Sequence, residues 1–258
     1  MVKPYPNRAW SEGMLLALDF DGVVVDGLDE CLLVAWNVFH GRAIDDFNRD
    51  ALHAIPEEFR NKFRLLRSYV RHDGHFIVPF HDDGTAPVDS GSFSERYAAM
   101  PSDFRNEFRQ AFMAYREAAR QLHPEFWAQL HTLLIDIEGL FSLGHEVKIV
   151  SGKDAQSISA ILCQHGLHLA DSDIFGRMTD KREVLTHLKD EANRKGQNMT
   201  FVDDNIENVI EAAQLELGIN ALWANWGYRS PDHQAMASAY AVTEVTADSL
   251  FDFLKTSG

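Results

Sequence analysis

Apolar and polar positions follow two different patterns along this chain. Residues 14–18 form an apolar run that is long enough for one buried strand. Residues 28–39 then carry apolar side chains three or four positions apart, which predicts an amphipathic helix. The same helical spacing recurs at 56–72 and at 101–122, with Ser102 as a candidate N-cap. Residues 73–94 are rich in Gly, Pro, His and Asp and predict a long loop.

From residue 124 onward, helical patterns alternate with short apolar runs. Helices are predicted at 124–143, 155–164, 181–194, 206–217 and 247–255, and buried strands at 146–150, 174–175, 199–202 and 221–224. This alternation predicts a parallel sheet with right-handed crossovers. One strand cannot bury itself, so the first strand joins the same sheet and the helical residues between are an insertion.

The predicted fold class is therefore α/β, with a Rossmann-like parallel sheet core and an inserted, mainly α-helical cap domain. The core domain comprises residues 1–26 and 123–258, and the cap domain comprises residues 27–122. The two chain crossings between these domains are candidate hinges.

Composition narrows the classes of partner. Hydrophobic residues make up 45% of the 258 residues, which is enough for a substantial core. With 39 acidic against 24 basic residues, the formal charge is −15, which disfavours binding to nucleic acid or to an anionic membrane. The two cysteines, Cys31 and Cys163, are too few and too far apart for a disulfide framework or a thiolate zinc site. No leader or membrane span is predicted, and we expect a cytoplasmic protein.

Polar side chains stand where three of the predicted strands end, and a lysine lies between the last two. They are Asp19 and Asp21, then Ser151, then Lys181, and finally Asp203 and Asp204. Because parallel strands end at one sheet edge, we expect these groups to share one crevice. Clustered carboxylates without clustered Cys or His favour a hard cation such as Mg²⁺ over zinc. A metal beside a lysine and a hydroxyl suits a phosphoryl group.

The motifs DFDGVVVD, VKIVSG, a later lysine and FVDDN, in this order, resemble those of the haloacid dehalogenase-like superfamily. The segment ANWGY at 224–228 and the insertion after the first motif are similar to the phosphoglycolate phosphatase and β-phosphoglucomutase branch, which has a helical cap. The resemblance covers the core on both sides of the insertion. It implies a Mg²⁺-dependent phosphatase.

The resemblance implies a role for each matching residue. Asp19 is expected to be the nucleophile and a metal ligand. Asp21 is expected to act as general acid and base, with its backbone carbonyl on Mg²⁺. Ser151, Gly152 and Lys181 are expected to bind the phosphoryl oxygens together with Asp19.

The fourth motif, VDDN, leaves two assignments open. Asp204 aligns best with the direct metal ligand, and Asp203 is then either a water-mediated ligand or a partner of Lys181. Asn208 is expected to support these acids. Lys153, which lies beside Ser151, is a rival to Lys181 for the role of the third motif's lysine.

The function implied is hydrolysis of a small phosphorylated metabolite through an aspartyl phosphate. The acid at position 21 favours phosphate-ester substrates, because the family members that act on halide or phosphonate substrates lack an acid at this position. Two alternatives remain open: a sugar phosphomutase with the same fold, and a non-catalytic phospho-binding module such as a receiver domain.

Several polar and aromatic residues stand outside these motifs. A second metal site or a solvated polar loop is predicted for His72, Asp73, His75, His81, Asp82 and Asp83. Arg67 and Arg71 are candidates either for binding a substrate anion or for surface ion pairs. Trp226 and Tyr228 are interpreted as packing residues, with stacking on a substrate as the alternative.

Overall fold

The computed structural model describes residues 13–81 and 87–256. The strands in these residues are β1 (Leu15–Leu18), β2 (Val25–Asp26), β3 (Thr132–Leu133), β4 (Glu146–Val150), β5 (Ile174–Phe175), β6 (Met199–Asp203), β7 (Asn220–Ala224) and β8 (Thr243–Val245). The α-helices are α1 (Leu28–Phe39), α2 (Arg49–Ala54), α3 (Glu57–Leu66), α4 (Ser90–Ala99), α5 (Ser102–Leu122), α6 (Pro124–Gln129), α7 (Ile137–Ser142), α8 (Ala155–Gln164), α9 (Arg182–Lys195), α10 (Ile206–Gln214), α11 (His233–Ala239) and α12 (Ala247–Thr256). The same described residues contain four 3₁₀ segments, at Ile44–Asp46, Arg67–Tyr69, Asp73–Phe80 and Asp171–Asp173.

One compact unit contains Met1–Asp26 and Leu133–Gly258. Its sheet has six strands in the order β5-β4-β1-β6-β7-β8, and every neighbouring pair is parallel. Strand β1 reads LLAL and is fully buried, as expected for the centre of a sheet covered on both faces. The predicted α/β fold with a parallel sheet is confirmed.

The register of the sheet brings three strand ends together. Leu18 at the end of β1 pairs with Ile149 of β4 and with Val202 of β6. Helix α9 packs its apolar face, including Leu188, into a cluster with Ala17 from β1 and neighbouring strands. The residues that follow β1, β4 and β6 therefore emerge side by side at one edge of the sheet.

The second unit, Gly27–Thr132, is built mainly from α1 to α6. Its core is aromatic: Phe76 stacks between Phe63, at 5.6 Å, and Phe112, at 5.0 Å between ring centroids. A buried Arg116 binds Glu30 and Asp73, both at 2.8 Å. Ion pairing of this kind is required when charges are buried. Over the described residues, no helix combines the length and apolar character that a membrane span needs.

The prediction of a long loop at 73–94 is wrong. The segment forms the 3₁₀ helix Asp73–Phe80, with an apolar Phe76, Ile77 and Val78 that are buried in the second unit. Helix α4 then begins within the predicted loop, at a capping box formed by Asp89 and Ser92. Gly, Pro and His in this stretch suggested a loop, but burial of its apolar run decides its structure. Residues 82–86, with Asp82 and Asp83, lie outside the described residues.

The single helix predicted at 124–143 is also wrong, because α6, β3 and α7 replace it. Phe126 of α6 contacts Phe47 at 5.4 Å, so α6 packs in the second unit. That unit ends at Thr132 rather than near Leu122. Helix α7 begins at Ile137 and is capped by Asp136, whose side chain accepts a hydrogen bond from the amide of Gly139 at 2.9 Å. Helix α11 and strand β8 were not predicted.

Candidate active site

The two acids of the first motif leave the sheet where β1 ends. The Asp19 amide still bonds to the Val202 carbonyl at 2.9 Å, so Asp19 is fixed by the sheet itself. Its side chain is buried, whereas Asp21 is partly exposed. A tight turn follows, in which the amides of Val24 and Val25 both donate to the carbonyl of Phe20 at 2.9 Å.

Lys181 joins Asp19 to the acid at the end of β6. Its Nζ lies 2.7 Å from Oδ1 of Asp19 and 2.7 Å from Oδ2 of Asp203. Asp203 is fully buried and receives two more hydrogen bonds, from Nδ2 of Asn208 at 2.9 Å and from the amide of Asn205 at 2.8 Å. Protein donors thus occupy both oxygens of Asp203, which matches the predicted alternative of a partner for Lys181.

Burial and ion pairing shift the pKa values of Asp19 and Lys181. It raises the pKa of Asp19 to about 6; the Lys181 ammonium opposes this rise and the Asp203 carboxylate adds to it. Burial alone would lower the pKa of Lys181, but the two carboxylates raise it above its usual value. Lys181 is therefore charged at neutral pH. A second cation near Asp19 would favour the ionised carboxylate of Asp19.

Asp204 is held by the strand and loop beyond it. Its backbone carbonyl accepts from Nε1 of Trp223 at 2.8 Å, and Oδ2 accepts from the amide of Tyr228 at 2.7 Å. Carboxylate oxygens of Asp19, Asp203 and Asp204 all lie within 4.8 Å of one another, and this is the one such metal-sized group in the described residues. Three carboxylates with no thiolate or imidazole fit a hard divalent cation.

Two glycines allow the backbone to approach Asp204. Gly22 has a φ of +95°, and a Cβ at this position would lie 2.2 Å from Oδ2 of Asp204. A Cβ on Gly227 would lie 2.3 Å from Cβ of Asp204. The Asp204 side chain therefore occupies a cradle that only glycine can form on these two sides.

Gly22→Ala is expected to weaken divalent-cation binding by about tenfold or more, because the new methyl group displaces the Asp204 carboxylate. The matched control is Gly144→Ala, since Gly144 has a similar φ of +84° but open space where its Cβ would lie. Isothermal titration with MgCl₂ measures both variants. Equal affinities for the two variants would show that the clash with Asp204 does not matter.

Ser151 follows β4 in the same row of strand ends. It is buried, and its amide donates to the carbonyl of Phe175 at 2.9 Å. Gly152 and Lys153 complete the turn, and the Lys153 amide lies 3.3 Å from Oγ of Ser151. The Lys153 side chain reaches Asp21, with Nζ 3.3 Å from Oδ1. Each predicted rival lysine thus lies in the site, Lys181 on Asp19 and Lys153 on Asp21.

The aromatic residues after β7 bind the turn that follows β1. Nε1 of Trp226 donates to the carbonyl of Val23 at 2.9 Å, and the Tyr228 hydroxyl lies 2.8 Å from Oδ1 of Asp26. Together with the hydrogen bond from the Tyr228 amide to Asp204, these bonds attach residues 226–228 to the turn after β1 and to one of the clustered acids. Sequence reasoning identified both residues as packing residues but gave no signal for these polar contacts.

Two histidines of the second unit, the partly buried His72 and the buried His75, lie against each other. The rings of His72 and His75 lie 3.8 Å apart, and burial lowers the pKa values to about 4 and about 3. Both are neutral at physiological pH. His81 is exposed, and Asp82 and Asp83 lie outside the described residues.

Arg67 and Arg71, the candidates for binding a substrate anion or for surface ion pairs, also lie in the second unit. The guanidinium of Arg67 stands 5.7 Å from the ring of Phe76. The backbone amide of Arg71 donates to Nδ1 of His75 at 3.2 Å. Binding of a substrate anion by either arginine stays a prediction.

Solved structures with this fold were found by structural comparison. A haloacid dehalogenase-like hydrolase from Streptococcus pneumoniae matches over 94% of this chain and 98% of its own, with a TM-score of 0.56 and 15% identity. A predicted phosphoglycolate phosphatase from Haemophilus somnus matches over 94% and 98%, with a TM-score of 0.55 and 14% identity. A predicted phosphatase from Clostridium acetobutylicum matches over 95% and 99%, with a TM-score of 0.53 and 15% identity.

No family model matches the sequence, and no curated protein matches it. The likeness to the solved structures extends over almost the whole length of each chain. At such low identity it is a likeness of fold, and the chemistry rests on the residues of this chain.

Proposed function

Because this chain has the haloacid dehalogenase-like fold, we propose that it is a Mg²⁺-dependent phosphatase that acts through an aspartyl phosphate. The observation that carries the proposal is the Lys181 ammonium, held 2.7 Å from both Asp19 and Asp203 beside the acid Asp204. The substrate we propose is a small phosphorylated metabolite, since a chain of charge −15 suits nucleic acid poorly. A cytoplasmic location is also proposed, since the sequence contains only two cysteines and no disulfide framework is predicted.

The proposed reaction has two displacements. First, a carboxylate oxygen of Asp19 attacks phosphorus while the bond to the ester oxygen breaks and Asp21 gives its proton to the departing oxygen. The alcohol leaves, and Asp19 carries the phosphoryl group. Second, water attacks phosphorus and gives a proton to Asp21, and the bond to Asp19 breaks. Inorganic phosphate leaves, and both carboxyl groups are restored.

The remaining residues bind charge. Ser151, Gly152 and Lys181 are proposed to hold the phosphoryl oxygens through the hydroxyl, the amide and the ammonium. Asp19, Asp204 and the backbone carbonyl of Asp21 are proposed to hold Mg²⁺, with Asp203 behind them. Bound Mg²⁺ supplies positive charge that offsets the repulsion between the carboxylates and the substrate phosphate.

The direct experiment is to incubate the protein with p-nitrophenyl phosphate in MgCl₂, in EDTA, and in EDTA with excess MgCl₂ restored. Release of inorganic phosphate is expected in the first and third conditions only. Acid-quenched protein is expected to carry bound phosphate that hydroxylamine removes, as an acyl phosphate requires. Full activity in EDTA would contradict the metal assignment, and the absence of phosphate release in all conditions would contradict the proposed function.

The stability of the protein is expected to depend on pH and on Mg²⁺ in a way that can be measured without turnover. In the metal-free protein the raised pKa of Asp19 means that the folded state holds this proton more tightly than the unfolded chain, so the group lowers stability as pH rises from about 4 to 6. Cation binding requires the ionised carboxylate. MgCl₂ is therefore expected to raise Tm more at about pH 7.5 than at about pH 5, with a stabilisation of ~2.7 kcal/mol at a hundredfold excess over Kd.

Differential scanning calorimetry at both pH values measures this effect. The control is Asp204→Asn, which is expected to remove most of the Mg²⁺ shift at either pH because it removes a ligand. A shift of equal size at both pH values would contradict the link between Asp19 ionisation and cation binding.

A further inference from the structure

Lys153 holds the acid that the proposed mechanism uses for proton transfer. We propose that Lys153 is a positioning residue that fixes the Asp21 carboxylate, so that Asp21 can protonate the leaving oxygen. This inference rests on the proposed function. It gives the two lysines of the site different roles, because Lys181 serves the nucleophile and Lys153 serves the acid and base.

The burial of the two partners supports the assignment. The Lys153 side chain is 0% exposed and its Nζ lies 3.3 Å from Oδ1 of Asp21, whose side chain is 12% exposed. An exposed lysine would lose rotamer freedom for little gain in such a pair. Here the buried turn has already restricted the lysine, and its ammonium must lie against an acceptor. The pair is therefore held in place by the fold.

Contacts with neighbouring residues hold the backbone of Lys153 in place. The Lys153 amide lies 3.3 Å from Oγ of Ser151, and its carbonyl accepts from the amide of Arg177 at 3.0 Å. Gly176 packs so closely that a Cβ there would lie 2.8 Å from the Lys153 carbonyl oxygen and 2.5 Å from the Ala155 amide. The turn that carries Ser151, the proposed phosphate-binding residue, thus also fixes the position of the Lys153 backbone.

Asp21 lies in the turn after β1, so the hydrogen bonds of the sheet do not position its carboxylate. The turn after β1 is closed by backbone bonds, including one from the Gly22 amide to the Val25 carbonyl at 2.7 Å, and such bonds do not themselves restrict the side-chain torsions of Asp21. Proton transfer requires the carboxyl within about 2.6–3.2 Å of the leaving oxygen. An ion pair from the neighbouring strand end restricts those torsions.

The test compares two aryl esters of similar size whose leaving groups differ in their need for a proton. Phenyl phosphate has a poor leaving group, and p-nitrophenyl phosphate leaves readily as an anion. For Lys153→Met, kcat/KM with phenyl phosphate is expected to fall about tenfold more than kcat/KM with p-nitrophenyl phosphate. Asp21→Asn sets the size of the effect when the acid itself is lost.

The matched control is Lys148→Met. Lys148 is also a buried, ion-paired lysine and lies in β4, the strand that precedes the turn of Lys153, but it binds Asp173 at 2.8 Å and Glu146 at 2.9 Å. Its loss is expected to change both kcat/KM values by the same factor. Lys153→Arg keeps a cation beside Asp21 and is expected to keep the wild-type ratio of the two values within about threefold. Lys153→Gln, which retains polarity, replaces Lys153→Met if the latter does not fold.

The changes in the two kcat/KM values distinguish the possible roles of Lys153. A selective loss with phenyl phosphate, restored by arginine, supports the positioning role. An equal loss with both esters, or no loss, overturns it and leaves Lys153 as a structural or phosphate-binding residue. If the wild-type protein releases phosphate from neither ester, the proposed function fails and the role of Lys153 fails with it.

Discussion

Asp19→Asn is expected to lower kcat for phosphate-ester hydrolysis by about 10⁴-fold or more. The amide has the size of the carboxylate and its oxygen can still accept from Lys181, so the surrounding structure is preserved. It has no anionic oxygen to attack phosphorus, and no aspartyl phosphate can form. The acid-quenched variant is therefore expected to carry no bound phosphate.

Asp180→Asn is the control for this change. Asp180 is exposed and pairs with Arg182 at the start of α9, one residue before Lys181. Its replacement is expected to change kcat less than about twofold, since exposed ion pairs contribute little. Steady-state release of phosphate measures both variants. A wild-type rate for Asp19→Asn would contradict the covalent mechanism.

The sequence was sufficient to place the site at the ends of β1, β4 and β6. Each of these strands ends in buried apolar residues that are followed at once by a polar one, which is Asp19 after Leu18, Ser151 after Val150 and Asp203 after Val202. Helices α1 and α8 begin and end where the periodicity predicts, at Leu28–Phe39 and Ala155–Gln164. Local pattern determines these elements, so local pattern predicts them.

Long-range packing determines the features that were not predicted. The apolar run at 76–78 was predicted as part of a loop, because the local sequence does not show the aromatic core of the second unit that buries it. The contact of Lys153 with Asp21 spans 132 positions and depends on the order β4-β1 in the sheet. The sequence contains both lysines, but only the fold shows that Lys153 contacts Asp21 and Lys181 contacts Asp19.

The division between Asp203 and Asp204 illustrates the same limit. Adjacent acids at the end of a strand are equivalent in the sequence, yet alternation along the strand points them in different directions. Asp203 faces Lys181 and Asn208, whereas Asp204 faces the amide of Tyr228. The surrounding donors, rather than the motif, distinguish the proposed lysine partner from the proposed metal ligand.

Lys181→Met is expected to lower kcat by about 10³-fold and the free energy of unfolding in EDTA by about 3–5 kcal/mol at neutral pH. The lysine is the shared partner of Asp19 and Asp203, so its loss leaves two buried carboxylates facing each other. Because its folded pKa is raised, the stabilisation is fully present below the pKa of the unfolded chain and is lost only as pH rises through the higher folded value. Urea unfolding and phosphate release measure the two effects.

Magnesium separates this electrostatic cause from a loss of packing. If the destabilisation comes from repulsion between Asp19 and Asp203, a bound cation near them offsets part of it, and the variant is expected to gain more stability from MgCl₂ than the wild-type protein does. Lys148→Met also removes a buried lysine, but Lys148 pairs with Asp173 and Glu146. It is expected to gain no more from MgCl₂ than wild type. Equal gains for both variants would contradict the view that Lys181 offsets the charge of the proposed metal site.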